Sequence, residues 1–146
     1  MTQEEKSLLL KDLCARLPYG TIVSVTDGTI KYEAYIESVS YKYIQVSPVS
    51  DSVFTPYTFY KISEIKPYLR PMSSMTEEEE NEWNGLNIDP LLEAVGEQHT
   101  RIEDLMLRAK SQYKPLDWLN AHHFDYRGLI PKGLTLEAPE GMYNIK

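Results

Sequence analysis

The sequence predicts an α+β protein: an N-terminal helix, a small SH3-like β-barrel or sheet of five short strands, then a C-terminal helical segment and a packed tail. Three observations carry this. A capped, leucine-rich stretch opens the chain; β-branched and aromatic residues with period-two alternation follow it; helical spacing returns only after an acidic block. The three segments set the expected organisation: helix plus barrel over 1–72, an acidic linker with a short helix over 73–89, and a helix with an aromatic, Gly/Pro-punctuated tail over 90–146.

Thr2 followed by Glu5 is a capping-box pattern, and Leu9, Leu10, Leu13, Cys14 and Leu17 recur at helical spacing. This predicts a helix from Gln3 to Arg16, stopped by Pro18 and Gly20, with Cys14 as a buried small hydrophobe. Strands begin near Thr21, and Asp27-Gly28 marks a hairpin turn. In the next strand Tyr32, Ala34 and Ile36 face the core and Lys31, Glu33, Tyr35 and Glu37 face outward. Pairing Ile36 with Ile44 and Ala34 with Val46 leaves a three-residue loop, Val39–Tyr41, and groups Tyr35, Tyr43, Glu37 and Gln45 on the outer face. Two further strands are expected over Val53–Tyr60 and Ile62–Lys66, with Pro48 and Pro56 at edges or turns.

The acidity has a location. Residues 1–72 carry eight acids and eight bases, whereas residues 73–106 carry ten acids against Arg101 alone. Thr76 and the four glutamates Glu77–Glu80 read as a solvated helix start that Gly85 soon ends. Asp89-Pro90 opens a second helix to about Gln112, on which Leu91, Val95, Gln98, Ile102, Leu105 and Ala109 form a heptad seam. That seam either packs on the barrel or, through Leu91, Val95, Ile102 and Leu105, pairs two copies as a homo-oligomer. In the tail, Leu116, Trp118, Leu119 and Phe124 suggest a short helix with a buried side.

Composition limits function. No lysine–arginine cluster supplies the basic face that bulk nucleic acid needs. No apolar run approaches a membrane span, and the first residues lack a secretory pattern, so a cytoplasmic setting is expected. A single cysteine excludes an internal disulfide framework. His122, His123 and Asp125 attract attention, but neighbouring helical positions point about 100° apart and do not form a one-face metal site. No catalytic residue, metal site or cofactor is therefore assigned, and a His123/Asp125 hydrolase is the enzymatic alternative.

Eleven tyrosines against three phenylalanines point instead to a partly wet binding face. Tyr35 and Tyr43 are candidate stacking residues. Arg127-Gly128 and Lys132-Gly133 offer cations beside glycines that let a phosphate approach, and His123 completes the candidate ligand set.

The stretches LLLKDLCARLPYG, EIKPYLRPMSSMTEEE and DWLNAHHFDYRGLIPKGLTLEAPEGMY resemble a group of uncharacterised proteins from phages and prophages of gut Bacteroidales. The resemblance covers about half the chain and implies an origin, with no activity to carry over. It motivates two binding expectations: an oligomeric sponge for a nucleotide-type signal of host defence, or an adaptor or inhibitor that docks a host or phage protein through the barrel and the acidic segment.

Overall fold

The computed structural model describes residues 1–50, 58–86, 102 and 114–143. The chain is α+β, with an N-terminal helix packed against a curled, mixed six-stranded sheet.

Helix α1 spans Gln3–Arg16, and its capping box is formed: Glu5 N–H donates to Thr2 Oγ1 at 3.1 Å, and Thr2 N–H to Glu5 Oε1 at 3.0 Å. A 3₁₀ turn, Leu17–Tyr19, leads to Gly20 in the left-handed region. The buried stripe of α1 is Leu9, Asp12, Leu13 and Arg16. Cys14, expected inside, is exposed. The stripe is rotated because a bonded Asp12–Arg16 pair occupies the inner face where the leucine pattern placed Cys14.

Strand β1 (Ile22–Asp27) turns through Gly28 (φ 60°) into β2 (Ile30–Val39), with Asp27 opposite Ile30. The two-residue loop needs positive φ at its first position, where glycine has no Cβ penalty. Strand β3 (Ile44–Pro48) pairs with β2, but the register differs from the expected one: Ile36 faces Val46 and Val39 faces Ile44. A bulge between Ile36 and Ser38 takes up Glu37 as an extra residue. Ser40 then pins the turn, accepting from Tyr43 N–H at 3.1 Å and donating to Tyr43 C=O at 2.9 Å. The shift is even at Ile36, so the inward set survives.

Strand β4 is Phe59–Tyr60, the end of the expected fourth strand; residues 51–57 lie outside the described residues. A 3₁₀ turn, Ile62–Glu64, occupies the start of the expected fifth strand, because Glu64 Oε1 accepts from Lys61 N–H at 2.9 Å and closes the turn. Strand β5 therefore runs later, Ile65–Leu69. Helix α2 covers Glu77–Leu86, passing Gly85 by one residue. The predicted helix from Asp89 to Gln112 lies outside the described residues, except that Ile102 is helical and 70% exposed.

Residues 114–121 form a short helix that buries Leu119 and leaves Leu116 exposed, a correction to the expected apolar side. The tail then supplies a sixth strand, β6 (Leu136–Glu137), parallel to β5. The sheet order is β4-β3-β2-β1-β5-β6, one strand more than expected, and an isolated bridge joins Arg70 to Phe124. The tail is thus part of the sheet of its own chain. The main core joins Leu9 and Leu13 to inward residues of five strands, from Val23 and Val25 to Tyr60 and Ile65. Phe124, Leu129 and Leu134 are buried on the tail side.

Candidate functional site: an acidic cleft over a buried ionic core

The helix and the tail meet through charge. Arg16 is fully buried; its Nε donates to Asp12 Oδ2 at 2.8 Å and its Nη2 to Phe124 C=O at 2.6 Å. The other Asp12 oxygen accepts from Arg127 Nη1 at 2.7 Å. One buried carboxylate therefore serves two guanidiniums, and both lie over the Tyr126 ring. Arg16 Nε and Nη2 and the Arg127 guanidinium thus meet an opposite charge or a carbonyl dipole, which offsets their removal from water, while Arg16 Nη1 is buried without a hydrogen-bond partner among the described residues.

A second ion pair floors the cleft. Arg70, just past β5, grips Glu79 with two bonds, Nη2 to Oε1 at 2.7 Å and Nη1 to Oε2 at 2.8 Å, and its guanidinium lies 4.2 Å from the Phe124 ring centroid. The Arg70 bonds, aided by Thr76, hold the Glu79 carboxyl down at about 2. Glu79 is therefore not one of a solvated run: it is buried, and Thr76 makes a capping box with it. Thr76→Ala is expected to cost about 1 kcal/mol, read as a lower urea midpoint.

Helix 114–121 and the turn after it place the two histidines in different environments. His122 Nδ1 lies 2.9 Å from Trp118 C=O, which can only accept, so Nδ1 carries the proton; the ring stacks on Trp118 at 4.1 Å. His123 is buried with φ 63° and lies face to face with Tyr143, centroids 3.7 Å apart. Burial, then Arg16 and Arg70, lowers its imidazole to about 4. Asp125 accepts from Leu129 N–H at 2.8 Å and Ile130 N–H at 2.9 Å, so its carboxylate closes a turn. Both Asp125 oxygens thus serve the backbone, while the His123 ring lies against Tyr143.

Above the Arg70–Glu79 floor lies a cleft of about 870 Å³. One wall is the first turns of α2, with Glu77, Glu78 and Glu82; the other is the tail from Glu137 to Gly141, with Glu140; His122 and Tyr143 close it. Among the described residues Arg70 is the only lysine or arginine in the lining, and Glu79 neutralises it. Five glutamates besides Glu79 thus line the described part of a concave space, one of them, Glu82, accepting from Trp118 Nε1 at 3.0 Å, and the low-dielectric walls focus their field.

No family model matches the chain, and no curated protein or solved structure matches it.

The candidate ligand residues fall in separate places. Tyr35 and Tyr43 are exposed as the alternation required, at 42% and 49%, on the sheet's outer side with Phe59. Arg127 is engaged by Asp12, and His123 is buried against Tyr143. Lys132 borders a shallow groove against the first turns of α1, beside Glu4 and Glu5. Of the five, His123 and Arg127 share the ionic core around Arg16 and Tyr35 and Tyr43 share the outer side of the sheet, so the set forms no single site. Gly128 and Gly133 both have positive φ, which fits turn formation. Leu91, Val95 and Leu105 lie outside the described residues. Among the described residues, no three His, Cys, Asp or Glu are placed to hold a metal ion, and no helix is long and apolar enough to cross a membrane.

The acidic wall is visible in the sequence as a block of charge, but the cleft is not. Its second wall comes from residues about sixty positions further on, and their charges, Glu137 and Glu140, carry no local pattern.

Proposed function

We propose that the protein is a non-enzymatic interaction module whose acidic cleft holds a lysine- or arginine-rich segment of a partner protein. The observation that carries this is the cleft of about 870 Å³ with carboxylates on both walls and, among the described residues, a single guanidinium that is already neutralised. A cationic side chain entering there gains from several carboxylates at once, while an anion meets repulsion on both sides. The exposed rings Tyr35, Tyr43 and Phe59 on the outer side of the curled sheet add a second contact surface. The resemblance of the end motifs to phage and prophage proteins makes a host or phage protein the fitting partner class.

Fluorescence anisotropy with a labelled lysine/arginine-rich peptide tests the reading, with an acidic peptide of equal length as control. Only the basic peptide is expected to bind, and binding should weaken with salt as the screening length shrinks to about 8 Å at physiological ionic strength. The double variant Glu78→Lys/Glu140→Lys should weaken it roughly tenfold or more. Equal binding of both peptides, or indifference to the double reversal, would refute the cleft as the site. The outward tyrosines support a second reading, stacking on a nucleotide-type ligand. Calorimetry with cyclic nucleotides checks it: heat lost in Tyr35→Ala/Tyr43→Ala would favour it over the peptide.

A further inference from the structure

Tyr143 ties together three parts of the molecule. Backbone pairing between β1 and β5 reaches Val23 and Pro67, and just beyond it the Tyr143 hydroxyl accepts from Ile22 N–H at 2.9 Å and donates to Tyr68 C=O at 2.7 Å. A side chain here completes what would otherwise be unpaired main-chain groups. Its ring covers His123, and it belongs to the cleft lining with the strap of residues 138–141.

We propose that Tyr143 is a pH-sensitive latch: protonation of His123 releases it, and with it the strap that walls the acidic cleft. The consequence for binding rests on the cleft reading above; the latch itself does not. His123 is faced by Arg16 from α1, Thr21 before β1, Arg70 after β5, its neighbour His122, and Tyr143 from the tail. The acids of the surrounding network are committed: Asp12 to Arg16 and Arg127, Glu79 to Arg70, and Asp125 to two backbone N–H groups. An imidazolium in this place meets two guanidiniums and little water. Attraction to the Tyr143 ring face offsets only part of that cost.

The strap is the element that can yield. Ala138 N–H remains bonded to Leu69 C=O at 2.8 Å, so β6 stays docked while the short turn after it, held by Met142 N–H to Pro139 C=O, swings away. The backbone of His123, at φ 63°, stays where the helix-ending turn puts it, with His123 N–H bonded to Asn120 C=O and Arg70 N–H to His123 C=O, so release moves the tail and not the imidazole.

Amide hydrogen exchange, corrected for the intrinsic rate at each pH, tests this at the Ile22 amide, whose acceptor is the Tyr143 hydroxyl. Its protection should fall at least tenfold between pH 6.5 and pH 4 while Val25 and Ala34 keep theirs. In His123→Phe, which stacks but cannot charge, Ile22 protection should stay flat. The latch is overturned by flat protection in the native protein, by the same fall in His123→Phe, or by simultaneous loss at Val25 and Ala34. The ring resonances of His123 in the native protein give a check that needs no variant: their titration midpoint should coincide with the Ile22 transition, and a different midpoint overturns the proposal. For the cleft, Tyr143→Ala at pH 7 should bind the basic peptide at least threefold more weakly, and unchanged affinity overturns the link between latch and cleft. A peptide that binds neither form refutes the cleft reading, while the exchange data still decide the latch.

Discussion

Asp12→Ala is expected to destabilise the protein by about 3–5 kcal/mol, the range for leaving a buried charge without its partner. Arg16 is fully buried, and its remaining protein acceptor would be the Phe124 carbonyl. Arg127 loses its ion-pair partner in the same change, which loosens the tail from α1. Thermal unfolding followed by circular dichroism should show a midpoint lower by roughly 10 °C, at 2–4 °C per kcal/mol for a chain of this size. Asp12→Leu/Arg16→Met, which removes the two fully buried charges together and leaves only the partly exposed Arg127 without its partner, should be markedly less destabilised than Asp12→Ala alone. A double variant as unstable as the single would mean that shape, and not charge pairing, governs this contact.

Acid should weaken the fold in two separable steps. His123 titrates near 6.5 when unfolded and near 4 in the folded chain, so between those values the unfolded state holds the extra proton and stability falls as pH falls. The full shift corresponds to a loss of up to about 3 kcal/mol by pH 4, with no further loss from this group below that. Opening of the Tyr143 latch would bring water to the imidazole first and stop the loss short of that figure. Glu79 acts lower: its contribution is complete above about 4.5 and disappears as pH falls through about 2. Urea unfolding across pH 7 to pH 3 measures the first step, and His123→Phe should flatten it. A native protein whose stability rises from pH 6.5 to pH 4 would contradict the sign.

What could be read from the sequence is what is local. Thr2 and Glu5 lie three residues apart and make their cap together, Asp27-Gly28 makes its hairpin, and the alternation of Tyr32, Ala34 and Ile36 puts Tyr35 outside. Asp12 and Arg16 have the spacing of an ordinary surface ion pair. What buries them is a carbonyl 108 residues ahead of Arg16 and an arginine 115 residues ahead of Asp12, which no window of sequence contains. Strand β6 has only two residues and so no periodicity to detect. Glu79 looks like its three neighbours in a run of four, and only Arg70 separates it from them. The candidate site divides the same way. Its acidic side is legible as a block of charge, whereas its opposite wall exists only because the tail returns to β5.

That return also sets the order of assembly. Arg16 leaves the ribosome long before Phe124 and Arg127 are made, and at 5–20 residues per second the interval is on the order of 5–20 s. During it Asp12 is available to pair with Arg16 and the Phe124 carbonyl is not. Completion waits for the tail, whose contacts to α1 and β5 have large sequence separation and therefore form late. In this chain a helix made early is sealed by residues made more than a hundred positions later.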